Sequence, residues 1–78
     1  MHGMLNIRQN TNLNRLKVIL VEKGKTSRWL ADQLGKNENT VSRWCRNEVQ
    51  PSLAQLNDIA TLLDVDVRSL LCSNIVKE

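Results

Sequence analysis

Three groups of residues have types that support chemistry. The first is Glu38, Asn39, Thr40, Ser42 and Arg43, which are short or hydrogen-bonding side chains with no Leu or Ile among them. On one helix they form a polar surface that suits a major groove. The second is Gly24-Lys25-Thr26-Ser27, which matches the end of a phosphate-binding loop. That motif needs a glycine five residues before Gly24, where Ile19 stands, and a strand before it, where the pattern is helical. The third is Cys45 and Cys72 with the single histidine, His2, at spacings that match no metal site. We read the cysteines as two thiols in a reducing, cytoplasmic compartment, one or both half-buried as small apolar side chains, with no disulfide required. No nucleophile, base and acid fall into a catalytic arrangement, so an enzyme is not expected, nor any cofactor or metal.

Composition narrows the choice. Seventy-eight residues suit one small domain. The longest apolar runs, such as Val18-Ile19-Leu20-Val21, fall far short of a membrane span, and no signal-peptide pattern is present. Neither a membrane nor a small-molecule substrate is an expected partner. Net charge is +3 but unevenly placed. Residues 1–47 hold nine Lys/Arg against three acidic residues, a net +6, whereas residues 48–78 hold two against five, a net −3. Solvated helix faces explain much of this. The asymmetry still favours an anionic partner for the first part.

The polar group must be positioned by helices, and the pattern predicts five. Residues 1–11 show no apolar periodicity and are expected to be a flexible N-terminal segment, with Met1-His2-Gly3 read as an appended leader and Met4 as the natural start. Asn12 or Asn14 caps a first helix running to about Lys23, with Leu13, Leu16, Ile19 and Leu20 on one face and Gly24 ending it. Thr26 caps a second helix to Leu34, with Leu30, Ala31 and Leu34 inward and Gly35 as the stop. Asn37 caps a third, from Glu38 to about Arg46, with Val41 and Trp44 inward and Asn47 suited to a left-handed turn. Ser52 and Gln55 form a capping box at the start of a fourth, whose stripe is Leu53, Leu56, Ile59, Ala60 and Leu63. Asp66 caps a short fifth helix containing Val67, Leu70 and Leu71. The domain is therefore placed at 12–72 and a tail at 73–78, where Ile75-Val76 suggests a short strand or dimer contact. The whole is an all-α, compact five-helix domain.

Helices two and three have the layout of a helix-turn-helix: two helices of about eight residues joined by Gly35-Lys36-Asn37. Ala31 is small where the helices cross. Any helical hairpin needs such features, and the polar outer face of the third helix sharpens the reading.

Residues 13–71 resemble the phage repressor and Cro type of helix-turn-helix domain, often called XRE-like. The resemblance runs through Leu30-Ala31-x-x-Leu34-Gly35, Asn37-x-x-Thr40-Val41-Ser42-Arg43-Trp44 and Pro51-Ser52-Leu53-x-x-Leu56. It continues through Ile59-Ala60-x-x-Leu63-Asp64-Val65-x-Val67 to Leu70-Leu71. It implies a lambda-repressor-like DNA-binding domain that reads double-stranded DNA through its third helix, usually as a homodimer on a partly palindromic operator.

The resemblance also implies roles. Glu38, Asn39 and Arg43 are the expected base readers, with Ser42 weaker: Arg suits guanine, Asn adenine, and Glu cytosine N4. Thr26, Ser27, Asn37, Thr40, Arg46 and Gln50 are the expected phosphate contacts, with Arg28 and Lys36 adding charge. Thr26 and Asn37 are also needed as caps without DNA, and the helix dipole alone accounts for Glu38. The family usually has Gln at Ser27, an apolar residue at Lys25, Glu at Cys45 and Gly at Asn47. Ser27 is too short for the usual bridge between phosphate and a neighbouring side chain, and the corner at Lys25 must be packed otherwise. Trp29 is expected to pack on helix one or the tail ahead of stacking on a sugar-phosphate.

The implied function is a transcriptional regulator, a repressor blocking polymerase, in the cytoplasm at the nucleoid of a prokaryote or in a phage-derived setting. With no room for a sensor domain, control is expected from concentration, a protein partner or degradation. The alternatives are an antitoxin that also binds a toxin, a restriction–modification controller, or a protein-interaction module that has lost DNA binding. Dimerisation is expected from the small core and the apolar cluster Val65, Val67, Leu70, Leu71, Ile75 and Val76, because one domain touches too few base pairs for genomic specificity.

Overall fold

The described residues form four α-helices and a closing 3-10 helix: α1 (Leu16–Glu22), α2 (Ser27–Leu34), α3 (Glu38–Cys45), α4 (Leu53–Leu63) and the 3-10 segment Val67–Leu70. The computed structural model describes residues 12–73. The expected contacts at Ile75 and Val76 lie outside the described residues.

All four α-helices stop in the same way. At Gly24, Gly35, Asn47 and Asp64 the backbone enters the left-handed region, with φ of 69°, 67°, 60° and 57°. The next residue then donates its N–H back across the turn: Lys25 to Leu20, Lys36 to Ala31, Glu48 to Arg43 and Val65 to Ala60, at 2.8–3.0 Å. This is the Schellman arrangement, which satisfies carbonyls the helix leaves open. Glycine takes the conformation freely, and Asn and Asp at modest cost. The starts are equally local. Thr26, Asn37 and Asp66 each accept a backbone N–H at a helix start, and Ser52 with Gln55 forms the reciprocal capping box.

The core is aliphatic plus one indole. Leu16, Ile19 and Leu20 of α1 meet Leu30 and Ala31 of α2, Val41 and Trp44 of α3, Leu56, Ile59, Ala60 and Leu63 of α4, and Leu70. Among the described residues no helix is long and apolar enough to cross a membrane.

Four expectations change. The fifth helix is a 3-10 turn: Ser69 donates to Asp66 and Leu71 to Arg68. Four residues leave no room for an α-helix, because the chain must extend again by Leu71, which lies past the helix and pairs antiparallel with Asn14. The first helix starts at Leu16, with Arg15 in the cap position and no side-chain cap of its own. Asn14 reaches in from one residue earlier, its Oδ1 accepting from Leu16 N at 2.9 Å. Leu13 is 57% exposed, because it precedes the helix and lies beside the C-terminal segment, accepting from Cys72 N at 2.9 Å. Leu53, also expected inside, is 78% exposed, because the stripe of α4 is covered only from Leu56 onward.

Candidate nucleic-acid interface

The outer face of α3 is built from the inside. Val41 and Trp44 are 0% and 3% exposed and lock one side of the helix into the core. The opposite side then follows from the 3.6-residue period. Asn39, Ser42, Arg43 and Arg46 recur at spacings of three, four and seven, on one stripe, with Glu38 beside them. Glu38, Asn39, Arg43 and Arg46 are exposed, and Ser42 and Thr40 half-buried. Asn37 fixes where this surface begins, its Oδ1 accepting from Asn39 N at 2.7 Å.

The expected phosphate contacts fall into separate places. Thr26, Ser27 and Arg28 open α2. Thr26 Oγ1 accepts from Trp29 N at 3.0 Å and keeps its own O–H for a further acceptor. Ser27 Oγ lies 3.5 Å from Cys45 Sγ, so the start of α2 sits beside the end of α3. The neighbouring side chain that the short serine meets is the Cys45 thiol. Lys36 and Asn37 lie at the other end of α2, in the tight turn leading into α3. Gln50 is exposed, and its amide is engaged within the protein: its Oε1 accepts from Asn14 Nδ2 at 2.7 Å, and its Nε2 donates to Asn47 Oδ1 at 3.1 Å.

Those two hydrogen bonds belong to a junction that local patterns did not signal. Asn14 is 5% exposed. Its Nδ2 also donates to the carbonyl of Trp44 at 2.9 Å. Asn47 Oδ1 accepts from the backbone N–H of Leu13 and Asn14, both at 2.9 Å, and its Nδ2 donates to Asn14 O at 3.2 Å. The end of α3 is thereby tied to the segment before α1. That segment is in turn paired with the chain after the 3-10 helix, through Arg15 N to Leu70 O at 2.8 Å. Cys45 and Cys72 are free thiols lining one cleft beside Asn14 and Asn47.

Glu48 also went unmarked in the sequence. Its Oε2 accepts from Arg46 Nε at 2.7 Å, and its Oε1 accepts from Arg43 Nε at 3.4 Å. The hydrogen bond to Arg46 leads in holding the Glu48 carboxyl below its ordinary value, and the same bond raises Arg46. No helical spacing links Glu48 with Arg43. The two meet because the chain reverses at Asn47.

The phosphate-loop resemblance dissolves in three dimensions. Gly24 is the left-handed end of α1, Thr26 is a helix cap, and Lys25 Nζ lies 4.7 Å from the centroid of the Trp29 ring. That cation–π contact covers the corner at Lys25, and Trp29 packs against the core. In the expected dimer cluster, Leu70 is 0% exposed and belongs to the core, which leaves it no surface for a partner. Val65 and Val67 are half-buried, and Leu71 is 44% exposed.

A capped α3 set at a Gly turn against α2, with its polar side outward, is the arrangement of a helix-turn-helix. The family model for the Cro/C1-type HTH DNA-binding domain matches residues 15–71, and the chain belongs to that family. It is also similar to a crystal structure of a Bacteroides fragilis protein provisionally described as DNA-binding. That likeness has 60% sequence identity and a TM-score of 0.76, and it covers 77% of this chain and 97% of the other. No curated protein matches.

Proposed function

We propose that the protein is a sequence-specific regulator of transcription that binds double-stranded DNA as a homodimer, with α3 in the major groove. The observation that carries this reading is the outward stripe of α3. Asn39, Ser42 and Arg43 are hydrogen-bonding side chains on a helix whose other side is locked by Val41 and Trp44. Family membership and the DNA-binding description of the Bacteroides fragilis relative support it. In this reading Glu38, Asn39, Ser42 and Arg43 meet base edges. Thr26, Ser27, Arg28, Lys36, Asn37, Thr40 and Arg46 hold phosphates on either side. Leu71 with Val65 and Val67 supplies apolar surface for the second copy. The dimer acts in the cytoplasm of a prokaryote, at the nucleoid, repressing by covering a promoter.

The test is selection of sites from random duplex DNA at near-physiological salt. The expected result is a two-fold symmetric motif with half-sites about 10–11 base pairs apart. Replacing Arg43 by Ala then costs about 1–3 kcal/mol and relaxes one position of the motif, whereas replacing Arg46 weakens all sequences alike. Weak, steeply salt-dependent binding without a motif overturns the reading, since only basic charge is then acting. Sedimentation showing a monomer on DNA overturns the dimer.

A further inference from the structure

The Glu48 carboxylate is shared unequally between two arginines with different expected tasks. Arg46 gives it two donors, Nε at 2.7 Å and Nη2 at 3.5 Å. Arg43 gives it only Nε, at 3.4 Å. A guanidinium carries five N–H donors in a flat fork. Arg43 meets Glu48 through Nε alone, with no hydrogen bond from its terminal nitrogens to the carboxylate, so those nitrogens remain to grip guanine O6 and N7 side by side. The carboxylate therefore orients one arginine and offsets the charge of the other. Its own position is set by the backbone, because Glu48 N donates to Arg43 O at 2.9 Å across the left-handed turn at Asn47.

We propose that Glu48 is a specificity-determining positioning residue: it pins Arg43 for base contact while competing with backbone phosphate for Arg46. This inference rests on the DNA-binding reading above. Binding to arbitrary DNA must break the Arg46–Glu48 pair and gains only a phosphate in exchange. Binding to a site with the right base also uses the pinned Arg43 fork, whose side-chain ordering was already achieved in the free protein. The net effect is a larger gap between the preferred site and all others, at some loss of total affinity.

Glu48→Gln tests this in the full chain, with two probes of equal length: the duplex selected by the wild type, and random-sequence duplex. The exposed ion pairs contribute little to folding, so the variant is expected to fold. We expect affinity for random duplex to rise about three- to tenfold, with a salt slope steeper by about one contact. Affinity for the selected duplex stays level or falls, so the ratio between them shrinks. Asp58→Asn makes the same charge change on the exposed face of α4 and serves as control, expected to move both affinities by one factor. In an Arg43→Ala background, Glu48→Gln is expected to leave the ratio unchanged, because the residue through which it acts is gone. Arginine side-chain NMR of the free protein adds a reading without DNA: the Nε–H signals of Arg43 and Arg46 shift together in Glu48→Gln. If Glu48→Gln behaves like Asp58→Asn, or still changes the ratio without Arg43, the proposal is overturned while the DNA-binding reading stands. If the wild type itself shows no preference between the two duplexes, that reading falls and the proposal falls with it.

Discussion

The two turns that bound α3 share a backbone and divide the labour. At Gly35 and at Asn47 the φ values are 67° and 60°, and in each the following N–H reaches back 2.9 Å to close the helix before it. A Cβ built on Gly35 meets nothing within 4 Å, so glycine answers there only to the left-handed backbone. Asn47 tolerates the same conformation and uses its side chain as well, holding Leu13, Asn14 and Gln50. The entry to α3 is thus a change of direction closed by the local Asn37 cap, with its side chains exposed. The exit is a junction of three chain segments. The helix offers its polar surface from one end while being anchored at the other, which is how a short helix in a small domain can present side chains in a fixed geometry.

The largest effect on this contrast should come from the buried member of the junction. Asn14→Ala removes the side-chain hydrogen bonds to the Trp44 carbonyl, which keeps the one from Asn47 N, to Leu16 N–H and to Gln50 Oε1, and is expected to lower stability by about 2–4 kcal/mol in urea unfolding. A loss below about 1 kcal/mol would mean that the junction is decoration.

Asn47 comes next, and two variants separate its duties. Asn47→Ala combines left-handed strain with lost hydrogen bonds, an expected cost of about 2–3 kcal/mol. Asn47→Gly relieves the strain and keeps only the second cost, about 1–2 kcal/mol. Equal stability of Asn47→Gly and the wild type would make the two turns alike after all.

Gly35→Ala should cost about 1 kcal/mol, from backbone conformation alone, and Gly35→Asn less, because no neighbouring atom opposes either side chain. A larger loss would reveal a packing demand at the entry to α3.

The smallest effect is acid dependence. Hydrogen bonds from Arg46 and from Arg68 hold the Glu48 and Asp66 carboxyls below their ordinary values of 4.5 and 3.8. The unfolded chain therefore takes up protons first, and stability falls with falling pH. The contribution is fully present above the ordinary carboxylate range and is lost as pH drops through the depressed values. Thermal melts of Glu48→Gln and Asp66→Asn between pH 6 and 3, in steps of about half a unit, should show shallower acid losses than the wild type. Since both groups are exposed, salt should shrink the difference.

Much of the fold was legible because its signals are short-ranged. Thr26, Asn37 and the Ser52–Gln55 box each act within three residues, and all are where the cap pattern placed them. The left-handed turn at Asn47 was equally local. So was the choice of inner and outer faces of α3, because Val41 and Trp44 alone decide which side is polar. Periodicity failed at its edges. Leu13 and Leu53 carry the right residue type at the right spacing, but the core does not extend to cover them.

What the sequence determined by itself, then, was the presence of α1 to α4, the caps at Thr26, Asn37 and Ser52, the stops at Gly24, Gly35 and Asn47, and the polar strip from Glu38 to Arg43 that suggests reading a base edge. Tertiary structure alone decided the rest. Asn14 meets Asn47 across 33 positions and Gln50 across 36, and no local propensity reports on contacts of that separation. The 3-10 closure was settled by the same pairing, which pulls Leu71 out of any helix and onto Asn14. Even the short-range clasp of Glu48 on two arginines needed the chain to reverse first. Helical periods describe neighbours along a helix, and a carboxylate beyond a left-handed turn is no longer one of them.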